Sequence, residues 1–407
     1  MKTLEILFWL AAGMVLYAWL GYGAFITALA RLRKRTAVPR AKGVREDSAG
    51  GVFEPLVTLV VAYHNERDWI GRKIENTLEL DYPEDKLKIV MVEDGSDDGS
   101  GEIPARYPRV ILLRQRERRG KAAALNAAMK AVETEITVFS DANAMLNREA
   151  IRELVAFFRD PAVGCVCGEK RVRSDRRDEA AGAGEGTYWR YESRIRAAEA
   201  RLGYCVGAMG ELYAIRTALF RDLPEDTIVD DFVVSMRIAF RGYRVLYTPG
   251  AYAVEVPSAG LGEEMKRKIR IAAGNLQAFL RMPGLLNPFR NGRIAFLYFS
   301  HKFLRSFVIP FLLPALFFLN LLLLRGGEAV YVVLFVLQVF FYSAAGAGYL
   351  LRERAVAVPF FFVPFYVTVM NLSALAGIFR YLRGRQSALW ERAARQDPPP
   401  KMEGTGP

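Results

Sequence analysis

Hydrophobic positions along this chain follow two patterns. From Ile6 to Ala30 no charged residue occurs, and three more long apolar stretches, 303–324, 329–351 and 357–379, follow residue 300. Each is long enough to cross a bilayer as a helix, which takes about 20 residues. The first, residues 4–30, is too long for a signal-peptide core and lacks a clear small-x-small cleavage site, so it is expected to be retained. Pro310 and Pro314 are expected to kink the stretch that contains them.

Between these stretches the period changes. Leu56–Ala62, Leu87–Asp94, Arg109–Leu113 and Glu135–Ser140 are short, β-branched runs bounded by turn residues, which reads as buried strands. Helical patterns separate them. Ile70, Ile74 and Leu78 share one face of a helix that Asn65 can cap and Asp81-Tyr82-Pro83 stops, and Lys121–Val132 is Ala-rich and helical. Strands alternating with helices predict an α/β domain with a mostly parallel sheet. From Ala144 to about Gly262 the alternation loosens into a charged helix around Tyr188–Arg201, a Gly-rich passage at Gly203–Gly210 and a helix opened by Asp230-Asp231. Lys266–Arg293 is basic, with Ile269, Ala272, Ala273, Leu276 and Phe279 at helical spacing. Next to a membrane span this reads as an interfacial helix in preference to a core-facing one. The predicted order is a transmembrane helix (1–30), a basic linker (31–55), an α/β domain (56–262), amphipathic helices (263–299), a transmembrane region of about three spans (300–382) and a polar tail (383–407) with a Pro-rich, disordered end.

Charge changes this picture less than its size suggests. The formal net charge of the 407 residues is +12, but lysines and arginines cluster beside the apolar segments, as in Arg31-Leu32-Arg33-Lys34-Arg35. Anionic lipid and the positive-inside rule account for that placement, so no nucleic-acid partner is expected and the linker and α/β domain belong in the cytoplasm. The same rule leaves a conflict. One span before the domain and three after it put the tail outside, whereas the basic run Arg380–Arg395 favours the cytoplasm, unless one apolar segment is re-entrant. The three cysteines form no CxxC pair, which suits a reducing compartment, and two histidines are too few for a histidine-rich metal site. Any metal must be held by oxygen. Neither GxGxxG nor GxxxxGK[ST] occurs, so classical dinucleotide and P-loop chemistry are unsupported.

Acidic groups stand at the ends of predicted elements: Asp94, Asp141 with Asn143, and Asp230 with Asp231. A D-x-N turn sets two oxygen ligands on one side, a donor set for Mg²⁺ or Mn²⁺ together with phosphate oxygens, although Asp141-Ala142-Asn143 alone could be an ordinary Asx turn. Taken in order, Val61-Ala62-Tyr63-His64-Asn65-Glu66, Val92-Glu93-Asp94-Gly95-Ser96, Gly120-Lys121-Ala122-Ala123-Ala124-Leu125-Asn126, Ser140-Asp141-Ala142-Asn143 and Val229-Asp230-Asp231 resemble the motifs of family 2 glycosyltransferases. The resemblance runs from roughly Val57 to Asn275 and, with the flanking spans, is to membrane-embedded synthases of the cellulose, hyaluronan, chitin and poly-N-acetylglucosamine type.

The resemblance implies a GT-A fold and an inverting transfer of a hexose or N-acetylhexosamine from a UDP-sugar to a growing polysaccharide, at the inner (plasma) membrane. By that likeness Tyr63, Glu66 and Asp94 would line the nucleotide pocket, and Lys121 would lie near the donor sugar or phosphate. Asp141 would lie beside the diphosphate and share a divalent metal (Mg²⁺ or Mn²⁺) with Asn143, and Arg267 and Arg270 would contact the diphosphate. Gly207, Gly210 and Tyr213 would lie on the acceptor side, and Asp231 would be the general base, with Asp230 its rival. Three motifs depart from the family pattern. Asn143 replaces the second metal aspartate, Val229-Asp230 replace Thr-Glu of T-E-D, and Ile271 replaces the tryptophan of the processive Q/R-x-x-R-W motif, here Arg267-Lys268-Ile269-Arg270-Ile271. If another aromatic holds the acceptor, Tyr188, Trp189, Tyr204 and Tyr213 are available. The alternatives are a single-sugar transferase acting on a lipid, as in the ceramide-glucosyltransferase-like branch, and a non-catalytic nucleotide-binding subunit. Expected partners are the donor, a saccharide or lipid acceptor, membrane lipids and an accessory export subunit.

Overall fold

The computed structural model describes residues 1–32, 53–172, 179–258, 260–351 and 359–389. Most of the expected linker and tail, and the side chain of Tyr188, lie outside the described residues. Contacts divide the chain into two compact units. One comprises Met1–Val38, Ser174–Val206 and Met265–Gln386; the other Pro39–Arg173, Gly207–Glu264 and Ser387–Pro407.

Among the described residues the second unit is built on eight strands: β1 (Val57–Tyr63), β2 (Leu87–Asp94), β3 (Val110–Gln115), β4 (Ile136–Ser140), β5 (Met145–Leu146), β6 (Val163–Val172), β7 (Leu212–Arg216) and β8 (Arg244–Glu255). They form one sheet in the order β3-β2-β1-β4-β7-β6-β8-β5. β1 runs parallel to β2 and β4, and β2 parallel to β3. β7 is antiparallel to both neighbours, while β6 and β8 pair in parallel. Every residue of β1 and β4 is buried, whereas β3 at the edge is partly exposed. That contrast explains their sequences, since a central parallel strand covered on both faces reads as a continuous apolar run. β1, β2, β3 and β4 match the predicted runs to within a residue or two. β6, β7 and β8 were not foreseen, because their pairing partners are distant in the chain.

Asn65 does not cap the helix Arg67–Leu78. It sits at φ 54° and exchanges hydrogen bonds with Asp97 (2.8 and 3.0 Å), tying the loop after β1 to the loop after β2. Asp98 instead accepts from the first helical amide, Arg67 N, at 3.0 Å.

The other unit is helical. Among the described residues four helices are long and apolar enough to cross a membrane: Lys2–Leu32, Pro288–Gly326, Ala329–Leu351 and Phe360–Leu382. The amphipathic region expected over 263–299 is divided between two helices. Helix Leu261–Arg281 ends before Pro283, and Asn287 caps a new helix at Pro288, accepting from Phe289 N and Arg290 N. The half of the first helix from Ala272 to Ala278 is buried, and a Cβ added to Gly377 would lie 2.5 Å from the Ile269 carbonyl oxygen. That face packs on a helix of the same unit. Residues 174–206, placed by the sequence within the α/β domain, group by contact with these helices.

Candidate active site

The ends of β2, β4 and two helices meet in the sheet unit. Asp94, at the end of β2, is fully buried. Its Oδ1 accepts from Arg119 N (2.7 Å) and its Oδ2 from Gly120 N (2.8 Å), while its carbonyl accepts from His64 Nδ1 (2.8 Å). The carboxylate thereby shapes the loop that leads into helix Lys121–Lys130. Gly120 makes that entry at φ 95°, a conformation that favours glycine.

Lys121 is the first residue of that helix, a position where the helix dipole disfavours a cation. Its ammonium is held by carboxylates instead, 2.7 Å from Asp141 Oδ1 and 3.6 Å from Asp230 Oδ2. Burial alone would lower its pKa, but Asp141 and Asp230, with Asp231, hold it well above the usual lysine range. Asp230 and Asp231 open helix Asp230–Phe240, where the dipole favours negative charge. Asp230 is buried, and its Oδ2 has no hydrogen-bond partner. Asp231 is half-buried. All three groups close on Gly210: a Cβ there would lie 3.4 Å from Lys121 Nζ, 3.6 Å from Asp231 Oδ2 and 3.7 Å from Asp141 Oδ2. A glycine leaves that space open to a substrate.

Three carboxylates around one ammonium leave an excess of negative charge, and their donors are all oxygen, which fits a hard divalent cation. Among the described residues no group of three His, Cys, Asp or Glu side chains is placed to hold a metal by itself. Substrate oxygens would have to complete its coordination. Asn143 is buried and its Nδ2 donates to Glu255 Oε1 (2.7 Å), within a cluster in which Lys170 also bridges Glu211 and Glu255. Only the amide oxygen of Asn143 therefore remains for a ligand role.

The remaining candidates fall in different surroundings. Tyr63 is buried, with a hydroxyl that has no partner; burial first, and Glu93 next, raises its pKa. Glu66 is buried, and its carbonyl accepts from Trp69 N and Ile70 N to start its helix. Tyr213 departs from its expected role. It is 0% exposed within β7, stacked on Phe139 at 4.8 Å between centroids, so its ring face is closed to a sugar. Gly207, at φ 78°, packs against Phe232, where a Cβ would lie 2.6 Å from Cδ2, so its role is in the turn. Arg267 and Arg270 are half-buried on helix Leu261–Arg281, and Trp189 faces Lys268, all in the helical unit.

Sequence reasoning missed the groups behind the site, namely Lys73, Asn76, Lys170, Glu211 and Glu255. One signal was present. Lys73 falls on the same helix face as Ile70 and Ile74, where a charged residue is out of place unless it has buried partners.

Residues 58–221 match the family model described as glycosyl transferase family 2. Over 236 residues the chain is 28% identical to a poly-beta-1,6-N-acetyl-D-glucosamine synthase of Staphylococcus aureus (strain MSSA476), covering 55% of this chain and 56% of that one. It is 26% identical over 269 residues to an N-acetylglucosaminyltransferase of Rhizobium sp. (strain N33), covering 61% and 59%. The chain thus spans a little over half the length of the curated relatives it matches. Among solved structures it resembles a mannosyltransferase of Pyrobaculum calidifontis in complex with GDP-Man and Mn²⁺, with a TM-score of 0.68 and 26% identity over 93% of this chain and 100% of that one.

Proposed function

We propose that this chain, whose residues 58–221 match the family 2 glycosyltransferase model and whose sheet resembles a solved mannosyltransferase, is a glycosyltransferase of that type that transfers a hexose or N-acetylhexosamine from a UDP-sugar, with inversion, to a growing polysaccharide. The observation that carries this reading is the convergence of Lys121, Asp141 and Asp231 on Gly210. In such a transfer Asp231 takes the proton of the acceptor hydroxyl as its oxygen bonds to the anomeric carbon. The bond from that carbon to the diphosphate breaks, and the electron pair leaves with the nucleotide. A base so placed contributes roughly 10²–10⁴-fold. Lys121 sets positive charge where negative charge grows on the leaving group. Asp141, with the diphosphate, would hold a divalent cation. When bound, that cation supplies further positive charge against the departing phosphate.

The two relatives named for N-acetylglucosamine favour an N-acetylhexosamine donor, and the synthase among them favours a polymer. The four long apolar helices and the basic residues beside them favour a multi-pass protein of the plasma membrane, with the sheet unit on the cytoplasmic face. Membrane lipid and an export subunit are the further partners of this reading.

The test is to incubate detergent-solubilised protein with UDP-N-acetylglucosamine, UDP-glucose and GDP-mannose, with Mn²⁺ or with EDTA. Metal-dependent UDP release with a long saccharide product is expected. Use of GDP-mannose alone would overturn the UDP-sugar assignment. One sugar added to a lipid at any donor excess would replace the polymer with single transfer, and no nucleotide release from any donor would leave a non-catalytic subunit.

A further inference from the structure

Behind the Asp141 turn lies a side chain that the transfer reaction does not use. Lys73 is 0% exposed in the sheet unit. Its Nζ donates to Ser140 Oγ at 2.7 Å and also to the Ala144 carbonyl. These two residues bracket Asp141-Ala142-Asn143. One helical step on, Asn76 exchanges both of its amide hydrogen bonds with the backbone of Leu146, donating at 2.9 Å and accepting at 2.8 Å. Residues three apart share a helix face, so one face of helix Arg67–Leu78 grips the segment 140–146 at three points. Ser140 Oγ in turn donates to the Glu211 carbonyl (2.8 Å), and Glu211 follows Gly210. The chain Lys73–Ser140–Glu211 therefore runs beneath both the Asp141 turn and the glycine around which the carboxylates gather.

A buried ammonium is an expensive means of packing a helix. Methionine or leucine would extend the Ile70 and Ile74 face without desolvating a charge. Burial in fact pulls the Lys73 pKa down to about 7, against the opposing pull of Asp141 and Glu255. What the lysine provides that an apolar residue cannot is two directed hydrogen bonds to the residues flanking Asp141. We infer that Lys73 and Asn76 are positioning residues that hold the Asp141 turn in the geometry required to bind a divalent cation together with the donor diphosphate. The inference rests on the nucleotide-sugar reading of the site. Partners that orient a metal ligand from behind commonly alter metal affinity by roughly 10–100-fold when removed.

The experiment measures UDP binding calorimetrically, with and without Mn²⁺, for the full-length protein and for Lys73→Met, Asn76→Ala and Ser140→Ala, with thermal unfolding of each recorded without ligand. Wild type should bind UDP more tightly with Mn²⁺. Asn76→Ala and Ser140→Ala should remain folded, with a lowered unfolding midpoint, and bind UDP alone as wild type does, while losing roughly tenfold of the Mn²⁺-dependent gain. Those two variants decide the matter even if Lys73→Met does not fold. Folded variants that keep the full Mn²⁺ gain would overturn the positioning role alone. A wild type with no Mn²⁺ gain would overturn the metal–diphosphate reading and this inference with it.

Discussion

Two adjacent aspartates open one helix, and their surroundings separate their roles. Asp230 is buried against Lys121, whereas Asp231 is half-buried with its Oδ2 beside Gly210. A base must reach a hydroxyl that arrives from outside, so Asp231 is suited to proton transfer and Asp230 to holding the lysine. Asp231→Asn should lower transfer by roughly 10²–10⁴-fold while UDP affinity stays near wild type, since the base acts on the acceptor. Turnover and UDP calorimetry on one preparation check this; a loss under tenfold would move the role to Asp230. Tyr213 permits the opposite expectation. Its ring stacks on Phe139 and its hydroxyl is buried without a partner, so Tyr213→Phe keeps the stack and removes an unsatisfied polar group. Activity and unfolding midpoint should match or slightly exceed those of wild type, and a large rise in acceptor KM would restore an acceptor role.

At the scale of elements, a buried ionic network organises the helical unit. Glu192, Arg196 and Glu199 lie along one face of helix Glu179–Arg201. His301 places Nε2 2.9 Å from Glu192 and Nδ1 2.7 Å from Glu199, and Tyr22 donates to Glu199 at 2.5 Å. Arg305 reaches Glu192 and donates to the Ala18 carbonyl at 2.9 Å, while Tyr191 donates to that of Trp19. His301 and Arg305 lie in a π-helical segment, Phe299–Val308, and Ala18 and Trp19 in another, Tyr17–Gly21. Such turns re-aim backbone groups within a helix, and here the carbonyls of Ala18 and Trp19 meet side-chain donors. Glu199→Ala leaves His301 Nδ1, the Tyr22 hydroxyl and the Val206 amide without their buried acceptor. It should cost roughly 3–5 kcal/mol of stability, read as a lowered unfolding midpoint in detergent. A midpoint unchanged from wild type would show that water replaces the carboxylate.

At the scale of the whole molecule, the sheet unit reclaims the chain after its last apolar helix. Leu389 belongs to that unit, and a Cβ on Gly120 would lie 3.4 Å from its Cδ2. If the long apolar helices span a membrane, a segment packed on the sheet unit shares that unit's side, and we expect an even number of crossings after it. With three long apolar helices following it, one would then enter and leave by the same face. The three cysteines are free and buried, so an introduced thiol can report this. Ser387→Cys should react with a membrane-impermeant maleimide from the same side as Glu133→Cys in the sheet unit, and labelling from opposite sides would mean that all three helices cross.

Local sequence was enough for whatever depends on local period. The apolar runs of β1, β2 and β4, the four long apolar helices and the acidic ends of their neighbours were all legible, because burial on both faces or in lipid selects continuous apolar residues. The order of motifs also pointed to Lys121, Asp141 and Asp231 before any contact was known. What the chain could not reveal is which of them meet. Asp141 and Gly210 are brought together by the pairing of β4 with β7, and Asp231 joins them on a helix packed against β6 and β8, in a sheet whose order no short window encodes. The same holds for Tyr213, whose aromatic ring reads alike whether it is buried or open, and for Asn143, whose amide is taken by Glu255 from a distant strand. Lys73 shows the limit most plainly. A lysine on an apolar helix face looks like a break in the pattern until the turn it holds is folded against it, because a buried charge is stable only with partners that the tertiary structure supplies.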